Sequence, residues 1–250
     1  MKESGGSAPA VDFLVALQFL TVAPALIKRT FTPLELGRAT AYFPLVGGLV
    51  GVFLMGAGFL LEQVFPAPLR AALVLALWVL ASGALHLDGF LDACDGLLGG
   101  HTPQSRLEIM KDERIGAFAL AGGVLLLLVK YSALAGMEAV SPALILAPAL
   151  GRWAMAAAIF AIPYARPEGL GKAMKDHTTW GQILIATLFA GGICVLFLGW
   201  PGLAAGVLAL LVTLAVARFT LRRIPGLTGD LYGAINELVE AAVLILFTIQ

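Results

Sequence analysis

Three aspartates lie close together in the run His86-Leu87-Asp88-Gly89-Phe90-Leu91-Asp92-Ala93-Cys94-Asp95-Gly96. Their spacing of i, i+4 and i+7 places Asp88, Asp92 and Asp95 within roughly 60° of one helical face. Carboxylates this close repel one another unless a cation sits among them. Hard oxygen donors at this density suit magnesium or manganese, with a substrate phosphate completing the shell. The competing reading is a solvated acidic helix end. Against it, a chain with 16 acidic residues in all places three of them within eight positions, flanked by apolar side chains. Gly89 and Gly96 weaken a helix, which points to close approach by another helix or by a substrate. His86 reads equally as a hydrogen-bonded structural histidine or as a group that sets the ionisation of Asp88. Cys94 reads as a small packing residue.

Two further clusters carry ionisable groups. The first runs from Arg106 to Gly116 and includes Lys111, Asp112, Glu113 and Arg114. Its guanidinium and ammonium groups match diphosphate oxygens, although ordinary flanking charge explains them as well. The second is Thr228-Gly229-Asp230 with Gly233 and Glu237. Asp230 and Glu237 stand at i and i+7, so they could add a metal ligand or a general base to the first motif. Asp230 also suits a helix start, where a negative charge favours the macrodipole. Glu240 faces elsewhere on that helix and lies deeper. The loop from Tyr164 to Lys172, with Arg166, is basic and glycine-bearing but does not match the G-x-x-x-x-G-K-[ST] phosphate loop. Lys130 and Arg152 fall inside apolar stretches, where ionisable groups are functional candidates by default. Lys130 lies near one end and can snorkel; Arg152 is nearer mid-span and is the better candidate.

The elements that must position these residues follow from composition. Of 250 residues, 60% are hydrophobic and 13% are charged, against about 25% charged in soluble domains. Lipid therefore takes much of the role of solvent. We expect an all-α, polytopic transmembrane bundle in one domain, 1–250. Seven spans are expected, at about 41–63, 69–87, 115–137, 142–163, 180–200, 202–218 and 234–250. Residues 12–27 are apolar but shorter and hold Gln18, Thr21 and Pro24, which suits a re-entrant or interfacial helix. Helix starts are expected at Pro33 after Thr32 and at Pro103 after Thr102. Trp200-Pro201-Gly202 reads as a tight turn between two helices. The first eleven residues show no cleavable secretory pattern.

Basic residues cluster in alternate loops: Lys28, Arg29 and Arg38; Arg106, Lys111 and Arg114; Arg166, Lys172 and Lys175; Arg218, Arg222 and Arg223. The positive-inside rule makes that shared face cytosolic, which puts every polar motif there. The net charge of zero argues against a broad nucleic-acid surface. Cys94 and Cys194 have no zinc-like spacing.

Read together, the motifs resemble one family. His86-Leu87-Asp88-Gly89 with Asp92, Asp95 and Gly96 is similar to the signature of the cobalamin synthases, the adenosylcobinamide-GDP ribazoletransferases. The likeness continues in order through Leu107-Glu108-Ile109-Met110-Lys111-Asp112 with Arg114 and Gly116, Lys130-Tyr131, Gly151-Arg152, Tyr164-Ala165-Arg166 with Glu168-Gly169-Leu170-Gly171, and Thr228-Gly229-Asp230 with Gly233 and Glu237. Glu113 stands where a serine is common and Ala119 where a glycine is common; neither removes a proposed ligand.

The resemblance implies a multi-pass enzyme of the cytoplasmic membrane, with its active site facing the cytosol. It would join alpha-ribazole, or its 5′-phosphate, to adenosylcobinamide-GDP, releasing GMP and forming adenosylcobalamin or its 5′-phosphate. It implies a divalent cation, usually magnesium, held by Asp88, Asp92 and Asp95, with Asp230 as a fourth ligand. Asp92, Asp112 and Glu237 are the candidates for the base, and Lys111, Arg114, Arg152 and Arg166 for substrate binding. The competing readings are a CDP-alcohol phosphotransferase, whose D-G-x-x-A-R pattern is only half matched here, and a transporter using Lys130 and Arg152. Gly47-Gly48 with Gly51 permits either a homo-oligomer contact or intrachain packing.

Overall fold

A computed structural model of the chain describes residues 9–137 and 139–249. The expectation on the N-terminal secretory pattern therefore lies mostly outside the described residues, as does the last residue of the span expected at 234–250. Among the described residues the regular structure is helical, as expected: α1 (Pro9–Leu20), α2 (Pro33–Ala39), α3 (Phe43–Glu62), α4 (Ala67–Ala81), α5 (Leu85–Cys94), α6 (Pro103–Ile109), α7 (Ala117–Gly136), α8 (Ala143–Ala161), α9 (Leu170–His177), α10 (Trp180–Leu221) and α11 (Gly229–Leu246). A 3-10 turn, Thr40–Tyr42, runs α2 into α3, and a π-helical turn, Asp95–Gly99, follows α5. Both proline starts are used. Thr32 caps α2 in a capping box with Glu35, and Thr102 caps α6 in one with Ser105.

Among the described residues, four helical stretches are long and apolar enough to cross a bilayer: Pro33–Glu62, α7, α8 and α10. The bent pair of α4 and α5 makes a fifth if it counts as one. At 42 residues α10 would be about 63 Å long if straight, twice a hydrocarbon core of about 30 Å. It is not straight. Gly199 has φ 56° and ψ −128°, and a Cβ on Gly202 would come within 2.9 Å of the Cys194 carbonyl carbon. Residues eight apart in a straight helix are about 12 Å apart along the axis, so the chain doubles back here. The turn sits one residue before the expected Trp200-Pro201-Gly202.

The span expected at 69–87 is not one helix. α4 stops at Ala81, Gly83 and Ala84 take left-handed φ of 59° and 57°, and α5 leaves at 91° to α4. Hydrogen bonds from Gly83 N to Leu80 O (3.0 Å) and from Ala84 N to Val79 O (2.9 Å) close the end of α4. Hydropathy runs unbroken through this corner, so periodicity alone could not reveal it. With 15 residues, α4 is about 22 Å long, short of the hydrocarbon core. At the N-terminus the helix expected within 12–27 ends at Leu20. Gln18 braces the irregular chain beyond it, donating to Ile27 O (3.2 Å) and accepting from Ile27 N (2.7 Å).

The most enclosed helix is α8, packed against α3, α10 and α11. Its contact with α3 depends on missing side chains. A Cβ on Gly47 would lie 2.8 Å from Ala149 Cα, and one on Gly51 would lie 2.5 Å from Leu144 O. Gly48 faces Ile193 of α10. All three glycines are thus used for contact within the chain.

Candidate active site

The right-angle corner after α4 lays α5 against α11, and glycines set the separation. A Cβ on Gly89 would come within 2.9 Å of Asp230 O, and one on Gly233 within 2.9 Å of His86 O. This close seam brings the acidic side chains of α5 beside the start of α11. Asp92 lies within electrostatic reach of Asp230, Asp88 and Asp95, and of one cation, Arg166. Asp230 sits in the first turn of α11, behind the N-cap Thr228. Its Oδ2 accepts from Arg166 Nη2 (2.9 Å) and from Thr228 Oγ1 (3.1 Å).

Arg166 reaches Asp230 because two loops are stitched together. Ala165 N donates to Leu227 O and Leu227 N donates to Pro163 O, both at 2.8 Å. Gly226 has no side chain to obstruct the pairing: a Cβ there would meet Ala165 N at 2.9 Å. Tyr164 stacks obliquely near Tyr232, with ring centroids 6.2 Å apart. Burial pushes the Tyr164 hydroxyl up from its ordinary pKa.

Asp95 has a different task from its two neighbours. Its Oδ2 accepts from Gly116 N (2.6 Å) and its Oδ1 from Ala119 N (2.9 Å). It therefore caps α7 from a distance, because Gly116, the residue before α7, has no side chain of its own. A Cβ at Gly116 would run into this carboxylate. At Ala119 the contact is made by the backbone, so alanine in place of glycine leaves it intact. Asp95→Asn keeps one acceptor and loses the charge. The expected cost is about 1 kcal/mol, in line with loss of a helix cap. Hydrogen exchange at the Gly116 and Ala119 amides should accelerate; unchanged protection would contradict the capping role.

Lys111 lies just beyond α6, lining both an acidic and a basic recess. Arg114 is turned onto Asp112, with Nη2 to Oδ2 at 2.6 Å and Nε to Oδ1 at 2.9 Å. The side-chain and backbone hydrogen bonds of Arg114 hold the Asp112 carboxyl down to about 2. That makes it a weak base at neutral pH.

Arg152 and Glu237 are placed elsewhere, in a buried network one layer deeper. Lys130 Nζ lies 2.5 Å from Glu237 Oε2 and 2.6 Å from Glu240 Oε2. Arg152 Nη1 lies 2.9 Å from Glu240 Oε1, which also accepts from Asn236 Nδ2 at 2.9 Å. Two cations and two anions from α7, α8 and α11 thus neutralise one another. Lys130 does not snorkel; it points into the bundle and sits 4.9 Å over the Trp78 ring. Glu240 is the member that periodicity understated. Its signal was available: two carboxylates within one apolar helix require cations, and Lys130 and Arg152 were the two intramembrane cations on offer.

Three recesses meet around Asp88, Gly229 and Asp230. One, of about 200 Å³, is mainly apolar and reaches Asp88, Gly229 and Asp230. A second, of about 580 Å³, is lined by Lys111, Tyr164, Arg166, Glu168 and Gly169 and also reaches Gly229. The third, of about 260 Å³, is acidic, with Asp88, Asp92, Asp95 and Asp112, and borders Lys111 and Arg114. Among the described residues no three His, Cys, Asp or Glu side chains are drawn together as a ready metal cage. The oxygen donors that a hard cation would draw on are Asp88 and Asp230 in the apolar recess and Asp88, Asp92 and Asp95 in the acidic one; each Asp95 oxygen also accepts an amide.

Comparison with known proteins identifies relatives over nearly the whole chain. Residues 12–248 match the family model for cobalamin-5-phosphate synthase. A protein of Stutzerimonas stutzeri (strain A1501) is 45% identical over 243 residues, covering 96% of this chain and 98% of its own. One from Pseudomonas putida (strain W619) is 44% identical over 241 residues, covering 94% and 97%. One from Pseudomonas syringae pv. syringae (strain B728a) is 42% identical over 241 residues, covering 94% and 98%. All three are named adenosylcobinamide-GDP ribazoletransferase. No solved structure matches the chain.

Proposed function

The chain belongs to the cobalamin-5-phosphate synthase family, and from that premise we propose that it is an adenosylcobinamide-GDP ribazoletransferase whose chemistry takes place where Asp88, Asp92 and Asp230 face one another. The observation that supports this site most strongly is the meeting of acidic, basic and apolar recesses at Asp88, Gly229 and Asp230. A reaction that joins a nucleoside to a corrinoid diphosphate, with departure of a nucleotide, needs those three surroundings side by side.

In this reading a ribose hydroxyl oxygen of alpha-ribazole forms a bond to the phosphorus attached to the corrinoid side chain. The bond from that phosphorus to the bridging oxygen breaks, and its electron pair leaves with GMP. Lys111 and Arg166 hold the diphosphate. Arg166 still has a donor to give, since its buried Nε has no partner among the described residues. Asp112 and Glu237 are both held by cations, which leaves Asp92 as the acceptor for the hydroxyl proton. Asp88 and Asp92, with Asp230 beside them, would hold magnesium, which when bound neutralises charge on the diphosphate and the departing nucleotide.

We place the enzyme in the cytoplasmic membrane with this site on the cytosolic side. The basis is the positive-inside distribution of Lys111, Arg114, Arg166, Arg222 and Arg223. The test is to incubate the purified, lipid-reconstituted protein with adenosylcobinamide-GDP, alpha-ribazole and magnesium. Complete corrinoid and GMP should form in equal amounts, and chelation by EDTA should stop both. Formation of neither product would overturn the reading; continued turnover in EDTA would remove the metal from it.

A further inference from the structure

The 200 Å³ recess is enclosed by Phe19, Leu85, Met155, Ile159, Leu170 and Met174, contributed by four different helices. Besides Asp88 and Asp230 at its edge, two polar side chains interrupt this lining. His86 is 2% exposed and Tyr232 is 4% exposed. His86 Nε2 and the Tyr232 hydroxyl are buried, and neither has a hydrogen-bond partner among the described residues. Buried polar atoms are nearly always paired, because leaving one unpaired forfeits its hydration without return. A pair of them lining one apolar recess beside Asp88 and Asp230 points to a ligand that brings its own polar atoms.

Size narrows the ligand. An apolar cavity of about 150 Å³ accepts a benzene ring, whereas drug-sized ligands occupy pockets of about 300 Å³ or more. The recess therefore suits one bicyclic aromatic ring and is far too small for a corrin macrocycle. Lining narrows it further. Guanine would bury a carbonyl, a ring N–H and an amine against Phe19, Met155 and Ile159. The neighbouring basic recess offers guanine Lys111, Glu168 and backbone polar groups instead.

We propose that this recess is the subsite for the heteroaromatic base of the acceptor nucleoside, with Tyr232 and His86 meeting its ring nitrogen and the apolar wall selecting a bicyclic base with an apolar edge over adenine. The inference rests on the transferase reading above. The recess and the basic pocket both border Gly229. A base seated here puts its ribose at Asp88 and Asp230, and the nucleotide departs toward Arg166. Adenine would fit the space, but an exocyclic amine turned toward Phe19, Met155 and Ile159 would go unpaired, a kind of mismatch that binding sites reject.

Steady-state kinetics on the reconstituted full-length protein tests this, with alpha-ribazole and the corresponding adenine riboside as acceptors. Ile159→Trp fills the recess and should raise the KM for alpha-ribazole by about tenfold or more, leaving the KM for adenosylcobinamide-GDP unchanged. Tyr232→Phe removes one hydroxyl and no volume, so it answers the question even if the tryptophan variant does not fold. It should raise the same KM and alter the preference between the two ribosides. An unchanged nucleoside KM in both variants, or a rise in the corrinoid KM instead, would overturn the subsite. Failure of the unaltered protein to release GMP would overturn the transferase reading itself, so the two failures are distinguishable.

Discussion

Replacing Asp88 or Asp92 by alanine abolishes ribazole transfer, with an expected loss of about a thousandfold or more, while the protein still inserts and purifies normally. The magnitude follows from what these two carboxylates do in the proposed site. Removing a single group that stabilises developing charge costs about a hundredfold to a thousandfold. Here one substitution removes a cation ligand, and in the case of Asp92 the proton acceptor as well. Asp88 and Asp92 lie on α5, in a crowd of like charge eased by one arginine, so deleting one relieves repulsion and should not harm folding. GMP release measured beside thermal unfolding in detergent separates the two effects. Turnover within a few-fold of normal in either variant would remove the acidic cluster from the mechanism. Loss of folding in both would show that its role is structural.

The second large effect is expected in the buried network, and on stability. Glu240→Ala leaves Lys130 with one partner and Arg152 with none of its carboxylates. Breaking a buried ion pair by deleting one member costs about 3–5 kcal/mol, because the other charge stays behind unpaired. Here two cations are left sharing one anion, a surplus of one buried positive charge. Folded yield and the midpoint of thermal unfolding should both fall sharply. Glu237→Gln should cost much less, since Lys130 retains Glu240 at 2.6 Å. Equal stability of the two variants would mean that Glu240 is not the keystone of the network.

Much of this architecture was readable from residue types. Helical class, the helix starts at Pro33 and Pro103, and the turn near Pro201 follow from local chemistry that the fold obeys. So does the close approach expected at Gly89 and Gly96, where an added Cβ would meet the Asp230 backbone and the Met110 side chain. What stayed hidden depends on non-local geometry. The corner at Gly83 and Ala84 interrupts no apolar pattern. Asp95 shares a helical face with its neighbours in an ideal helix, but the π-helical turn beginning at Asp95 and the start of α7 direct its oxygens to backbone amides. Arg152 and Glu237 have the right chemistry for a substrate site, yet their partners come from three separate helices, and only the assembled bundle shows that they meet one another.

The shortness of α4 has a consequence for how water-borne reactants arrive. α4 supplies about 22 Å of apolar helix against a hydrocarbon depth of about 30 Å. A bilayer accommodates such a mismatch by thinning locally, at a fraction of a kcal/mol per Å. Such thinning would draw headgroups and water inward on the flank where α5 begins and make a shallow depression in the lipid surface. A hydrophilic macrocycle would then descend to the carboxylates without entering the oily layer, and bilayers of longer acyl chains would make the descent harder.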